Sequence, residues 1–186
     1  MSTLRPPVSD RDHIQGPFDA ELVLVEFGDY ECPHCKAAYP VVKTIQAELG
    51  DQLCFAYRHF PLVEIHPYAE PAAEAAEAAG AQGSFWRMHD ALYQNSPDLT
   101  VDDLLSYAQD VGLELDRFVQ DLRTRRHLQR VQENMESGLR SGVHGTPTFF
   151  INGVRHAGGY DLPSLVEALR VAPILNRGSA SSGRPG

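Results

Sequence analysis

Residues 21–35 read ELVLVEFGDYECPHC, and this stretch decides the fold. Glu21–Phe27 is apolar and β-branched nearly throughout, a pattern that suits a strand covered on both faces. Gly28 and Asp29 end it. A helix begins near Cys32 and runs to about Leu49, with Val41, Val42, Ile45 and Leu49 on its buried face and Gly50 closing it. Leu53–Tyr57 (LCFAY) is a second strand-like run. Strand, helix and strand in this order predict a right-handed βαβ unit with parallel strands.

Cys32, Pro33, His34 and Cys35 stand where the strand hands over to the helix. With Cys32 at the N-cap, Pro33 takes the first helical position, where its missing N–H would be unpaired anyway. The Cys32 sulfur then faces the free N–H groups of His34 and Cys35 at the positive helix end, which favours a thiolate. An imidazolium at His34, if close, adds to this. The expectation is a Cys32 pKa below the free value of about 8.5. Residues three apart at a helix start share a face, so a Cys32–Cys35 disulfide is geometrically easy. A stabilised thiolate favours the dithiol and makes that disulfide a stronger oxidant. A C-x-x-C pair is also half of a zinc site. The other half would have to be Cys54 and His59, and Cys54 lies in an apolar strand run that reads as core.

The middle of the chain is helical. Ala69, Ala72, Ala73, Ala76 and Ala79 form one small-residue face, with Glu70, Glu74 and Glu77 opposite. Ser84 can cap a helix carrying Phe85, Met88 and Leu92, and Thr100 with Asp103 resembles a capping box. Leu104, Leu105 and Ala108, then Leu115, Phe118 and Leu122, then Leu128, Val131, Met135 and Leu139 recur at helical spacing. Trp86 and Tyr93 read as core, and the basic run at Arg123, Arg125, Arg126 and Arg130 as a solvated helix face. Strand character returns at Thr148–Ile151. Asn152-Gly153 is a hairpin turn, Val154–Ala157 the return strand, and Asp161 the cap of a last helix. His59, His66 and His89 read as packed or partly exposed histidines.

The chain has 186 residues with 42% apolar and 22% charged, enough apolar content for a packed core. Sixteen basic against 25 acidic residues give a net charge of -9, which repels a phosphate backbone and argues against nucleic acid as a partner. Three cysteines are too few for a disulfide scaffold. The polar opening has no apolar signal region, and no run of about 18 apolar residues occurs. The expectation is a cytoplasmic protein without a membrane span.

EFGDYECPHC, the later GTPTFFING and the element order resemble the DsbA-like thiol-disulfide oxidoreductases of the thioredoxin superfamily. The resemblance implies an α/β thioredoxin fold, β-α-β … β-β-α around a mixed central sheet, with an all-helical insertion. The expected divisions are 12–64 and 144–175 for the thioredoxin-like part, 65–143 for the insertion, and flexible termini at 1–11 and 176–186. It implies a redox-active Cys32–Cys35 disulfide, no other cofactor and no metal, and Cys32 as nucleophile toward protein or peptide thiols. Glu26, six residues before Cys32, matches the buried carboxylate that exchanges protons with the second cysteine. Pro147 matches the superfamily's cis-proline, and the Thr146 backbone the segment that pairs with substrate. Tyr30 and His144 are expected to line the substrate groove. Glutathione or a thioredoxin-type protein is the implied recycling partner, and the direction of exchange stays open because Thr146 replaces the valine of familiar DsbA proteins. A glutathione-dependent isomerase or transferase of the same fold and a zinc-binding module are the competing readings.

Overall fold

The computed structural model describes residues 2–173; the expectation for 176–186 lies outside them. Five strands form one mixed sheet in the order β1-β3-β2-β4-β5: β1 (His13–Gln15), β2 (Leu22–Gly28), β3 (Leu53–His59), β4 (Thr148–Ile151) and β5 (Val154–Arg155). β2 lies at the centre, parallel to β3 and antiparallel to β4. Its apolar run reflects that place, because both faces are covered. β1, an antiparallel edge strand on β3, is too short and polar to stand out in the sequence. β3 runs two residues beyond LCFAY, and β5 is shorter than Val154–Ala157. The hairpin between β4 and β5 turns on Asn152 and Gly153, both at positive φ (48° and 80°), as a tight two-residue turn requires.

Strand alternation sorts side chains between two cores. Leu24, Phe55, Tyr57, Phe149 and Ile151 join the core that holds Cys32, Cys35 and the insertion. Val23, Val25, Phe27, Cys54, Ala56 and Phe150 join the smaller core on the other face. Seven α-helices are present among the described residues. α1 (Pro33–Leu49) buries Cys35, Ala38, Val42 and Ile45 and closes at Gly50 (φ 49°). The insertion comprises α2 (Ala69–Gly80), α3 (Phe85–Asn95), α4 (Val101–Asp110), α5 (Leu115–Arg123) and α6 (Leu128–Arg140), and α7 (Leu162–Val171) ends the fold.

Thr100 and Asp103 form a reciprocal capping box at α4, and the Asp161 carboxylate caps α7. Ser84 sits at the N-cap of α3 but makes no side-chain cap bond. α2 has no solvated acidic face. Glu74 and Glu77 are buried because α2 is wrapped by α3, α5 and α6. Each has partners: Glu74 pairs with the Arg125 guanidinium, and the Glu77 carboxylate is hydrogen-bonded by His13 Nε2 and His59 Nε2. Arg125 is solvent-exposed, as the basic run suggested, but it stands in a turn rather than on a helix face. It sits at positive φ in the turn after α5 and reaches back to Glu70 and Glu74.

The expected loose stretch at 1–11 is also corrected. Leu4 and Val8 are buried in the smaller core, and Leu4 N–H donates to the Gly153 carbonyl. Arg58 of β3 anchors this arm. Its guanidinium meets both oxygens of Asp12 at 2.8 and 3.0 Å and the carbonyls of Pro6 and Pro7. The Ser137 hydroxyl takes the remaining contact. Polar composition hid the arm, because its order comes from one buried cation in a strand 46 residues away. Breaking a buried pair strands a charge, so Asp12→Ala should cost about 3–5 kcal/mol and open the arm to proteolysis. Urea unfolding with limited digestion checks this; a loss under about 1 kcal/mol with an intact arm contradicts it.

Candidate active site

The site is built at the carboxyl end of β2. Gly28 is needed there because a Cβ would lie 2.5 Å from the Tyr57 ring. Asp29 then turns the chain. Its Oδ1 accepts the N–H groups of Glu31 and Cys32 at 2.8 and 3.2 Å. Its Oδ2 accepts the Leu62 N–H at 2.9 Å and His66 Nδ1–H at 2.8 Å. A single buried side chain thus joins the cysteine turn to the loop after β3. Glu31 adds a second tie, accepting the Tyr68 N–H at 2.7 Å.

Cys32 occupies the N-cap of α1 in extended conformation, with Pro33 opening the helix. Cys32 and Cys35 are not joined in a disulfide, and Cys32 is 3% exposed. The Cys35 thiol donates to the Cys32 sulfur, and this is the largest influence on it. Burial opposes the charged form, but the backbone N–H groups of Cys35 and His34 and the side chain of Thr146 support it. The balance lowers the Cys32 pKa from 9.0 to about 5. The Thr146 carbonyl lies 3.5 Å from Sγ. The Thr146 hydroxyl, buried without another hydrogen-bond partner among the described residues, is the part of that residue that favours the thiolate. Burial, and then the bond it donates to Cys32, hold the Cys35 thiol well above the ordinary range. The two sulfurs are thus unequal, the outer one an anion and the inner one a proton carrier.

Glu26 lies on the same face of the sheet as Cys35, level with Tyr57 on β3 and Phe149 on β4. It is 2% exposed, and Oε1 has no hydrogen-bond partner among the described residues. Burial first, and the charge on Cys32 second, raise its pKa from 4.5 to about 8. Such a carboxyl can hold or release a proton near neutrality.

Other expected site residues fall differently. The His34 ring is exposed and turned to Tyr160, with Nδ1 2.8 Å from the hydroxyl; the part of His34 that supports the thiolate is its backbone N–H. Tyr30 is not a groove aromatic. It is fully buried, stacked on Tyr57 and bonded through its hydroxyl to His89 Nδ1 at 3.0 Å. The residue alternates inward at the strand end and meets the aromatic face of α3, which the turn sequence could not reveal. His144 is exposed and makes no hydrogen bond with the described residues. The Thr146–Pro147 peptide bond is cis. A cleft of about 400 Å³ opens beside Pro147 and Thr148, bounded by His156 and Tyr160. His59 and His89 are buried rather than at the surface.

Asp29, His66 and Tyr160 carry no sequence signal that marks them as site residues, and only the place of Asp29 three residues before Cys32 hints at it. Cys54 faces the core opposite to that of Cys35, and His59 is engaged by Glu77. The sheet therefore separates Cys54 from the cysteine pair, and the His59 ring on the pair's side is taken up by Glu77. Among the described residues no cluster of three or more His, Cys, Asp or Glu side chains is arranged to hold a metal.

This architecture is the thioredoxin-like fold of the DsbA-type thiol-disulfide oxidoreductases, with the cysteine pair at its usual strand-to-helix junction. The thioredoxin family model matches residues 9–170, and the chain belongs to that family. It superposes on oxidised BdbD from Bacillus subtilis with a TM-score of 0.79 at 24% identity, covering 91% of this chain and 96% of that one. The thiol-disulfide exchange protein alpha-DsbA2 from Wolbachia pipientis gives 0.76 at 20% identity, covering 87% of each. Among curated sequences, a protein named Na(+)/H(+) antiporter NhaA 1 from Salinispora arenicola is 46% identical over 167 residues, 90% of this chain and 26% of that protein. The chain thus spans about a quarter of the length of the curated relatives it matches. No helix among its described residues is long and apolar enough to cross a membrane.

Proposed function

We propose that the protein exchanges a Cys32–Cys35 disulfide with the thiols of proteins or peptides. The observation that carries this is the unequal pair: a Cys32 thiolate at the helix start over a buried, protonated Cys35. A substrate thiolate attacks the Cys32 sulfur and expels Cys35, which takes a proton from Glu26. A second substrate thiolate then attacks the mixed disulfide and releases Cys32 as the better leaving group. The Thr146 backbone, beside Cys32, lines up the substrate chain. Pro147 and the cleft toward Tyr160 receive its flanking residues. The low Cys32 pKa favours the dithiol, so the disulfide is an oxidant; it is re-formed when the dithiol passes its two electrons to the disulfide form of a recycling partner, glutathione disulfide or an oxidised thioredoxin-type protein.

The pair is tested on insulin, whose disulfides the dithiol attacks in the reverse direction. The wild type should accelerate insulin reduction by dithiothreitol. Cys32→Ser should fall to the uncatalysed rate, and reduced Cys35→Ser mixed with insulin without dithiothreitol should accumulate an insulin adduct at Cys32, since no Cys35 thiol is left to resolve it. Full activity in Cys32→Ser would end this reading.

A further inference from the structure

Asp29 and His66 form a pair of a buried acid and a partly exposed base beside the redox cysteine, and nothing in the exchange scheme uses it. The Asp29 side chain is fully buried and that of His66 is 15% exposed. All the Asp29 contacts point one way: Oδ1 holds the backbone of the Cys32 turn, Oδ2 holds Leu62 N–H and His66 Nδ1–H. Nδ1 is thereby fixed as a donor, and Nε2 is the position at which the ring gains or loses a proton. The charged groups facing the ring are Asp29, Cys32 and Glu31, all from the turn between β2 and α1. Glu70, at the start of α2, is engaged by Arg125. Partial burial works against the imidazolium, but the bond and charge of Asp29, with the Cys32 and Glu31 charges behind, outweigh it and raise the His66 pKa.

Of these three charges only that of Cys32 changes in the reaction. It is present in the dithiol and absent in the disulfide. We propose that His66 is a positioning residue whose protonation is coupled to the redox state: it takes up a proton when Cys32 becomes a thiolate and returns it when the disulfide forms. This rests on the Cys32–Cys35 reading above. The balance closes without further reactants. A substrate dithiol gives two electrons and two protons and becomes a disulfide. The electrons break the Cys32–Cys35 bond; Cys35 takes the Glu26 proton, one substrate proton restores Glu26, and the other ends on His66 Nε2. The Cys32 thiolate and the His66 imidazolium leave the site with no net change in charge. Linkage then makes the oxidising strength rise as pH falls through the His66 titration, beyond the dependence the cysteines themselves supply.

The test is the titration of His66 by proton NMR in the oxidised and reduced wild-type protein, its signal assigned by its loss in His66→Asn. The midpoint should lie higher in the reduced form by about one pH unit, the low end of the effect of a nearby opposite charge. His66→Asn keeps an N–H donor for Asp29 but cannot be charged. Its equilibrium constant with glutathione should therefore lose the extra pH dependence, diverging from wild type by about tenfold across the titration. Coincident midpoints, or a His66→Asn profile parallel to wild type, overturn the coupling. Alkylation of the oxidised sample keeps the two readings apart. If both thiols remain free after oxidation, the exchange function fails and the coupling with it. If the disulfide forms while the midpoints coincide, the coupling alone fails.

Discussion

Reduced protein should react with iodoacetamide at Cys32 along a pH profile with its midpoint near 5. At pH 6 a thiol of that pKa is about 90% ionised, against about 0.3% for an ordinary cysteine. The low-pKa thiolate is intrinsically less nucleophilic, by roughly 30- to 40-fold with a Brønsted slope of about 0.45. The net advantage over a free thiol at pH 6 is therefore about tenfold, and it shrinks as pH rises. The same shift has a larger effect on stability. The Cys32 pKa is depressed on folding. Its contribution is complete above the unfolded value of about 8.5 and is lost as pH falls through about 5. Reduced protein should therefore gain on oxidised protein by about 2–3 kcal/mol between pH 4 and pH 7, or about 5–10 °C in Tm for a chain of this size. Glu26 titrates with the opposite sign, but the larger cause of its shift is burial rather than the Cys32 charge, so its contribution largely cancels in the difference. Thermal unfolding of both forms at several pH values measures this, with Cys32→Ser as the control that should show no gain. Parallel curves for the two forms would contradict a stabilised thiolate.

The fold is legible in the sequence because its central strand is. A run that is apolar on both sides needs cover on both sides, and Cys32 and Pro33 mark the start of the helix that packs on it. The role of the helix end in holding a thiolate can be read as well, since backbone N–H groups need no knowledge of distant residues. The features hidden from the sequence depend on partners far along the chain. Asp29 and His66 are 37 residues apart, and neither has a pattern that points to the other. Tyr30 reads as a groove residue because its true surroundings are supplied by His89 and Tyr93 of α3. His34 invites a side-chain role at Cys32, whereas Tyr160, 126 residues on, holds its ring. The burial of Glu74 and Glu77 is hidden because helical periodicity shows only which residues share a side. It does not show that three further helices close around that side.

Glu26→Gln separates the chemistry of this carboxyl from its cost. A buried carboxyl with a raised pKa is neutral in the folded protein while the unfolded chain ionises it. Below about pH 4 both states are protonated and there is no penalty. As pH rises the folded form is destabilised, and the penalty levels off above about 8, where Glu26 ionises in place. Glutamine fits the same space without that term. At pH 8, oxidised Glu26→Gln should be more stable than oxidised wild type by about 2–4 kcal/mol, and at pH 4 the two should unfold alike. The gain should carry a loss. Glutamine cannot pass a proton to Cys35, so Cys35 must leave as a thiolate from a site that disfavours its charge. Stopped-flow oxidation of a dithiol peptide should slow by about 10²-fold, the lower range for a positioned general acid or base. Stability that fails to rise at pH 8 would mean that Glu26 is not held neutral. A risen stability with an unchanged rate would leave the carboxyl buried but outside the proton path. The combination expected, a more stable and slower protein, has one physical origin: Glu26 sits beneath the cysteine pair with an oxygen that no neighbour among the described residues satisfies.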